Sequence, residues 1–454
     1  APTSPPGAAG SVAGPLPVPS SITHGGAHLA GSGTKFVVPP ISDSGRGLEA
    51  LPELMAEMVD HSAKLSSPWA MGHMDTAPHP AAALTDALVS SLNNNLLFRE
   101  ISPLASVVEE QLNAEFATSL GLPPATPGLW TSGGSLANLT GLFAAAGGYA
   151  EDAPPRHEMV VVMGERGHAS IGKACRILGL PNVVTVPPLD PGSGCVDVAQ
   201  LDEAVARARA DGCARPVVVG VLGGTVNGHV DDLSALAEVW CVLGPPPRTA
   251  PLPIVAPPPH GPTAPPRRRT AATVRPAPTS LPHDRQSRSN VLPHSTRCSP
   301  SQRHGAWLHV DAIWGGALAY SADPTCRAYL RGLEHADSIA IGPQKWLFTP
   351  RLCALTLFPK LLDPDEFDAI LASAMPYSAK SDDDDGGEGG GANRGMWGLQ
   401  GSRRADCLPL WATMQVLGRR GVQEYVDGSI QLTRELHAAV LNSADEGTAR
   451  RGAQ

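Results

Sequence analysis

The chain has 454 residues, a formal charge of −9 and 42% hydrophobic residues, with a mean hydropathy of −0.06. No apolar run approaches the roughly 18 residues that a membrane span needs, and an acidic balance repels polyanions. We therefore expect a globular protein that has neither a membrane nor a nucleic acid as its partner. The length predicts one large and one smaller domain.

The eight cysteines form no CxxC pair and stand at no metal-ligand spacing with histidine. We therefore expect no metal site, and we predict free thiols and a cytoplasmic location, with organellar targeting left open. Residues 1–46 are rich in Pro, Ser, Gly and Ala and match neither a secretory signal nor an Arg-rich transit peptide. This stretch is predicted to be a disordered leader.

Residues 47–102 are predicted to form an N-terminal helical segment. Apolar residues recur at helical spacing from Gly47 to Lys64, and a second helix is predicted over Ala81 to Leu92. Ser102 and Pro103 are typical of a helix start, so a third helix is predicted from there to Leu120.

The sequence TSGGSLAN at Thr131 to Asn138 precedes a further helical run. Gly133, Gly134 and Ser135 allow a ligand to approach the backbone closely, and the free N–H groups of a helix start favour an anion. The pattern predicts a phosphate site here, with simple helix capping as the alternative.

Apolar, β-branched runs then alternate with helical runs, which is typical of a parallel sheet covered on both faces. The predicted strands are Met159 to Met163, Val183 to Val186 and Pro216 to Leu222. The predicted helices are Ser170 to Leu178, Val198 to Ala210 and Asp231 to Leu243.

The alternation breaks at residues 245–304, which contain sixteen Pro, nine Arg and one Asp. Such a segment cannot bury enough apolar surface to fold. We interpret 244–304 as a disordered Pro/Arg-rich insertion in a large domain at 103–375, irrelevant to catalysis and open to explanation as unspliced sequence. The alternative is a functional arm that binds an acidic or SH3-like partner.

The stretch from Trp307 to Phe348 contains two short apolar runs, each followed by a chemically reactive side chain. Asp311 ends the first run, and Lys345 follows the second, Asp337 to Ile341. Neighbouring parallel strands would raise both residues at one sheet edge, where open α/β sheets bind ligands. Pyridoxal phosphate (PLP) chemistry uses such a pair: the amine holds the cofactor and the acid pairs with its ring nitrogen. The alternative reading is a turn Asp and a surface Lys.

The remaining chain predicts a strand at Cys353 to Phe358 and a helix at Pro364 to Ala372. Residues 376–396 are acidic and Gly-rich and are predicted to be a mobile loop. Residues 397–454 contain two helical runs and are interpreted as a truncated small C-terminal α/β domain.

Taken together, these residues resemble the group II PLP-dependent amino-acid decarboxylases, which include glutamate, aromatic amino-acid and diaminobutyrate decarboxylases. The resemblance covers roughly Leu51 to Leu441 without the insertion. It rests on seven motifs in the family's order: GHMDTAPHP, NNNLLFREISP, TSGGSLANL, GHASIGKA, GTVNGHVDDL, WLHVDAIWGG and ADSIAIGPQKWL.

The resemblance implies a fold-type I PLP-dependent enzyme, a mostly parallel α/β sheet and a homodimer. It implies that Lys345 forms the Schiff base, that Asp311 protonates the pyridine nitrogen and that His168 stacks on the ring. It also implies that the cofactor contacts Gly133, Gly134, Ser135, Thr225, His309 and Gln344.

Two departures from the family pattern bear on the product. Gln344 stands where most relatives have His before the Lys, and Gln cannot carry a proton. The loop before Trp397 offers Arg394 but no Tyr as a proton donor, although Tyr377 lies upstream. We expect conversion of an L-amino acid to its amine and CO2. The alternatives are an aldehyde-forming or aminotransferase-like enzyme and a catalytically impaired homologue.

Overall fold

The structure is a computed structural model that describes residues 41, 43–63, 65–67, 70, 74–242, 306–373 and 393–452. Three predicted segments lie largely or wholly outside these residues: the leader at 1–46, the insertion at 244–304 and the acidic loop at 376–396. In the part of the chain that is described, no helix combines the length and the apolar character needed to cross a membrane.

The chain divides into two compact units, Ala1–Pro78 and His79–Gln454. In the first unit, α1 (Leu51–Asp60) forms within the predicted amphipathic stretch, and none of its residues is buried. The second unit contains the sheet and every predicted site residue. The predicted domain boundaries after residues 102, 375 and 396 fall inside this second unit and stay predictions.

Seven strands form one sheet in the order β1-β7-β6-β5-β4-β2-β3. The strands are β1 (Gly128–Thr131), β2 (Met159–Gly164), β3 (Asn182–Val186), β4 (Arg215–Val221), β5 (Trp307–Ala312), β6 (Ser338–Ile341) and β7 (Ala354–Leu357). The pairs from β3 to β6 are parallel, whereas β7 runs antiparallel to both of its neighbours. The sheet is therefore mostly parallel, as predicted.

Helices connect the strands. In the second unit they are α2 (Pro80–Leu92), α3 (Pro103–Ser119), α4 (Gly134–Ala145), α5 (Ala169–Leu178), α6 (Val198–Ala210), α7 (Leu233–Val242), α8 (Pro324–Ala328), α9 (Pro343–Trp346), α10 (Pro364–Leu371) and α11 (Cys407–Gly452). Pro103 at the first position of α3 matches the predicted helix start. Pro80 at the first position of α2 and Asp197 at the cap of α6 are start signals of the same kind.

The central strands are buried on both faces, which explains their continuous β-branched runs. Every residue of β5 and β6 is buried. The strand β3 differs because it is the edge of the sheet, and Val183 and Val184 each remain 38% exposed. A parallel edge strand therefore carries the same sequence pattern as a core strand without the same burial.

The two predicted C-terminal helical runs form one long element, α11, which is interrupted at Gly418, where φ is +64°. This helix packs against α2 and α3. Within 393–452 the structure describes no strand besides the single-residue bridges of Trp397 and Arg404. The small α/β domain therefore stays a prediction.

Candidate active site

Asp311 lies near the carboxyl end of β5, on the sheet face that α4 covers. It pairs in register with Val221 of β4 and Ala340 of β6. Its Oδ1 accepts a hydrogen bond from the backbone N–H of Ile313 at 3.2 Å. Only 6% of the residue is exposed, so the carboxylate is held rigidly at this strand end.

Lys345 follows the neighbouring strand β6 by way of Gly342 and lies in the short helix α9. A Cβ on Gly342 would come within 2.6 Å of the Ile313 carbonyl oxygen. The residues that follow Asp311 and those that precede Lys345 are therefore in direct contact. The parallel pairing of β5 and β6 brings the two predicted residues to the same sheet edge.

The glycines at the start of α4 lie close to Ile313, the residue that follows Asp311 and Ala312 at the end of β5. Gly133 has φ +107°, a backbone conformation that side chains rarely adopt. A Cβ on Gly134 would lie 3.0 Å from the Ile313 side chain. Ser135 is exposed in the first turn of this 12-residue helix. The free N–H groups and the positive end of the helix dipole therefore face the region beside Asp311.

His168 caps the start of α5. Its Nδ1 accepts the backbone N–H of Ser170 at 3.2 Å and lies 2.7 Å from the Ser170 hydroxyl. The imidazole is exposed, yet it acts electrostatically on the Asp311 carboxyl. Burial raises the pKa of Asp311, and the Ile313 N–H, the Asn138 amide and His168 oppose that rise.

Thr225 follows β4, and Gln344 lies in α9 directly before Lys345. Thr225 is exposed in the loop after β4, which the bridge between Leu222 and Val230 closes. Gln344 is only 9% exposed, and its Oε1 has no hydrogen-bond partner among the described residues. A buried amide oxygen without a donor is unusual, and a ligand with an N–H or O–H group would satisfy it.

His309 does not line open space, contrary to expectation. It is 0% exposed, lies one pleat repeat before Asp311 on β5, and directs both ring nitrogens to protein groups, Ser338 and Asn138. Burial lowers its pKa to about 3, so the ring is neutral. A cofactor at the sheet edge would contact Asp311, with His309 behind it.

Asn138 is a site residue that we did not single out from the sequence. Its Nδ2 donates to Asp311 Oδ2 at 2.9 Å, and the residue is 1% exposed. Its position in the sequence could have revealed it. Asn138 follows Gly134 by four residues, so it lies one helical turn further along on the same face of α4 as the predicted phosphate site.

The comparisons with known proteins agree with this geometry. The family model described as the pyridoxal-dependent decarboxylase conserved domain matches residues 48–242 and 296–449. The chain belongs to the pyridoxal-dependent decarboxylase family. The match leaves out residues 243–295, which lie between α7 and β5.

Individual relatives and solved structures are also similar to this chain. An L-2,4-diaminobutyrate decarboxylase of Rhizobium meliloti is 28% identical over 402 residues, which cover 88% of this chain and 66% of the relative. Mouse CSAD in apo form superposes with a TM-score of 0.67 at 23% identity, covering 89% of this chain and 70% of that one. Rhodiola rosea 4-hydroxyphenylacetaldehyde synthase gives a TM-score of 0.65 at 18% identity, with 89% and 72% coverage.

The chain therefore spans about two thirds of the length of the relatives that it matches. At these identities the two solved structures establish the fold alone. The predictions of the family and of PLP as its cofactor are confirmed by the family model, and the prediction of the α/β fold is confirmed by the solved structures.

The residues present fit PLP on three independent observations. Asp311 is a buried carboxylate at a strand end, suited to a protonated ring nitrogen. Gly134 approaches Ile313 so closely that a side chain would crowd the helix start where a phosphate would bind. Gln344 brings a buried amide whose oxygen lacks a partner.

Arg403 and Arg404 are candidates for binding a substrate carboxylate, but both are already paired within the protein. Glu109 binds the Arg403 guanidinium through both carboxylate oxygens. Arg404 pairs with Asp86 and, at 3.5 Å, with Asp406. Neither guanidinium carries an uncompensated charge, so the geometry favours a structural role for both.

We predict that Glu109→Gln lowers the free energy of unfolding by about 3 kcal/mol, because it leaves the Arg403 charge buried without its partner. The side chains of Glu109 and Arg403 are only 2% and 8% exposed. Urea unfolding followed by circular dichroism measures the change. Glu424→Gln is the control: Glu424 and its partner Arg420 are 65% and 91% exposed, so its loss should stay below about 1 kcal/mol. Equal losses for the two variants would contradict the prediction.

Proposed function

We propose that this protein is a homodimeric, cytoplasmic decarboxylase that converts an L-amino acid to its amine and CO2. The observation that carries the proposal is the emergence of Asp311 and Lys345 from adjacent parallel strands, beside the start of α4. Family membership supports the reaction class. The six cysteines 175, 195, 213, 326, 353 and 407 are free thiols, which supports a reducing compartment.

Each residue has a task that follows from its position. Lys345 would hold PLP covalently and move a proton at the reacting carbon. The Asp311 carboxylate would hold a proton on the ring nitrogen. PLP supplies, when bound, an electron sink for the pair of electrons that remains when CO2 departs.

The remaining residues would orient the cofactor and the substrate. Backbone N–H groups at Gly134 and Ser135 would bind the phosphate next to Gly133, whose own N–H donates to the Thr131 carbonyl oxygen at 2.9 Å. The Thr225 hydroxyl and the Gln344 Nε2 group are additional donors. His168 would stack on the ring. A scissile bond held perpendicular to the ring overlaps its π system, so orientation of the substrate carboxylate selects decarboxylation.

The experiment is a product assay over a panel of L-amino acids that includes 2,4-diaminobutyrate, aspartate, glutamate and aromatic residues. We expect equal amounts of CO2 and amine from at least one substrate in the presence of PLP. Release of ammonia with an aldehyde, or formation of a keto acid, would favour the alternative enzyme; the absence of Tyr from residues 378–396 supports the aldehyde-forming one. No product from any substrate would favour an impaired homologue.

The homodimer is supported by an apolar face on α2. Leu84, Leu88 and Leu92 follow one another at i, i+4 and i+8 and are 75%, 56% and 55% exposed. Isolated exposed leucines are ordinary, whereas a row of three along one helix face marks an interaction surface. A two-fold interface would bury the row on each subunit against the same row of the other.

We predict that Leu88→Lys raises the dimer dissociation constant by at least about 100-fold, because each of two copies loses a buried leucine side chain. Sedimentation-velocity ultracentrifugation across a concentration series measures the shift. Ser90→Lys is the control, since Ser90 is exposed on α2 away from the leucine row and should leave association unchanged. A wild-type protein that is monomeric throughout would exclude the dimer.

A further inference from the structure

Asn138 lies at the centre of a buried chain of hydrogen bonds behind the proposed cofactor site. Its single amide nitrogen donates to Asp311 Oδ2 and to Ser170 Oγ, both at 2.9 Å. Its Oδ1 lies 3.1 Å from His309 Nε2. The amide thus uses both of its N–H bonds and its oxygen, and it connects α4 with β5 and α5.

The chain continues in both directions from Asn138. On one side, His309 Nδ1 lies 2.8 Å from Ser338 Oγ, which also accepts the indole N–H of Trp307 at 2.9 Å. On the other side, Ser170 Oγ lies 2.7 Å from His168 Nδ1. We call these residues the Asn138 network: Trp307, Ser338, His309, Asn138, Asp311, Ser170 and His168.

The donor and acceptor capacity of each group fixes which partner donates in every hydrogen bond of the network. An ionised carboxylate only accepts, so the Asn138 nitrogen must face Asp311 and its oxygen must face His309. The oxygen then accepts the Nε2–H of His309, whose Nδ1 accepts the Ser338 O–H. Ser170 accepts from Asn138, and its own O–H therefore points to His168 Nδ1.

The packing of α4 on the sheet makes this arrangement possible. A Cβ on Gly141 would come within 2.5 Å of the His309 ring, so the glycine permits the helix to lie directly on the imidazole. Asn138, Ser338 and His309 are 1%, 0% and 0% exposed. Because water does not compete for these bonds, each of them constrains the position of its partner strongly.

We propose that Asn138 is a positioning residue: its amide holds the Asp311 carboxylate in the orientation and charge state that a cofactor ring nitrogen requires, and through Ser170 it orients His168. The proposal rests on the proposed function, since it assigns Asn138 a role toward the cofactor. Asn138 is the only side chain that donates a hydrogen bond to Asp311 among the described residues. The other donor is the backbone N–H of Ile313.

The titratable group whose charge acts on Asp311 is His168. His309 stays neutral, because burial lowers its pKa to about 3. The residues opposite Asp311 on β4 and β6, Val221 and Ala340, are apolar. A change at Asn138 should therefore reach Asp311 with little compensation from its neighbours.

The test compares Asn138→Leu and Asn138→Asp with the wild type, each loaded with PLP, in two measurements. The first is the pH midpoint at which the visible absorbance band of the bound cofactor titrates. Loss of the amide donor favours a neutral Asp311 and an uncharged ring nitrogen, so the Lys345-linked nitrogen becomes easier to protonate. We expect the midpoint to rise by about one pH unit.

The second measurement is kcat, which should fall about 10- to 100-fold, the range for a lost hydrogen bond to a charged group. Asn138→Asp keeps the shape and polarity of the site, so the test does not depend on the folding of Asn138→Leu. In this variant His309 still donates to residue 138, and the proton shared by the two carboxyls lies on Asp311.

Two controls separate positioning from general damage. Ser170→Ala removes the branch to His168 but leaves the bond between Asn138 and Asp311 in place, so it should lower kcat and move the midpoint less than Asn138→Asp does. Thr140→Val replaces a buried hydroxyl of α4 that bonds to the Leu136 carbonyl oxygen outside the network, and it should change neither quantity.

The outcomes distinguish this inference from the function on which it rests. A wild-type protein without a visible band would contradict the proposed function. A wild-type band, together with an unchanged midpoint in Asn138→Asp, would overturn the role of Asn138 alone.

Discussion

Lys345→Ala will lower kcat/KM by at least about 10⁴-fold, the upper range for loss of a catalytic proton donor that is also a nucleophile. The purified variant will also show no visible absorbance band after incubation with PLP. Alanine has no amine for covalent attachment and none to move a proton at the reacting carbon. The side chain is only partly buried in a four-residue helix, so its removal should leave the fold intact.

Absorbance spectroscopy and steady-state kinetics check this result. Lys173→Ala serves as the matched control, because Lys173 is an exposed amine on α5 and its loss should preserve the band and the activity. A band of equal intensity in Lys345→Ala would show that another amine holds the cofactor, and the assignment of the site would then be wrong.

Asp311→Asn will reduce kcat about 10³-fold while PLP still binds, an effect comparable to removal of a preorganised electrostatic partner. Asparagine keeps the shape of the side chain but cannot hold a proton on the ring nitrogen by its charge. The Asn138 amide would then face a second amide instead of a carboxylate. The cofactor therefore becomes a weaker electron sink, and the chemical step slows.

Single-turnover kinetics at saturating PLP measure this loss separately from binding. Asp363→Asn is the control, since Asp363 accepts the Asp365 N–H at the start of α10 and Asn caps a helix equally well. If Asp311→Asn retained the wild-type rate with full cofactor occupancy, the carboxylate would have no role in the reaction.

The sequence was sufficient to predict the features that depend on neighbouring residues. The run Met159 to Met163 predicted β2, and the alternation of such runs with helices predicted the parallel sheet. Asp311 and Lys345 could be paired because each follows a buried run and parallel neighbours end at one edge. The reversed direction of β7 was not predictable, because the run CALTLF has the same composition in either orientation.

Features that depend on distant contacts could not be predicted. The partners of Asn138 lie 32, 171 and 173 residues away along the chain, and no local pattern reveals them. In the sequence, nothing distinguishes Glu109 from the other polar residues of its helix, yet it pairs with Arg403, 294 residues later. The strand β1 has only four residues and includes a glycine, so its pattern was too short to separate from the turn that follows it.

The close approach of α4 to the sheet limits what the chain can accommodate at residue 141. Even one methyl group there would push against the imidazole of His309. Because the amide of Asn138 bonds to that imidazole and to Asp311, the displacement would be relayed to the acid beside the cofactor. The distance between α4 and the strands beneath it therefore controls the position of the Asp311 carboxylate. Gly141 sets that distance, although it lies behind the proposed cofactor site.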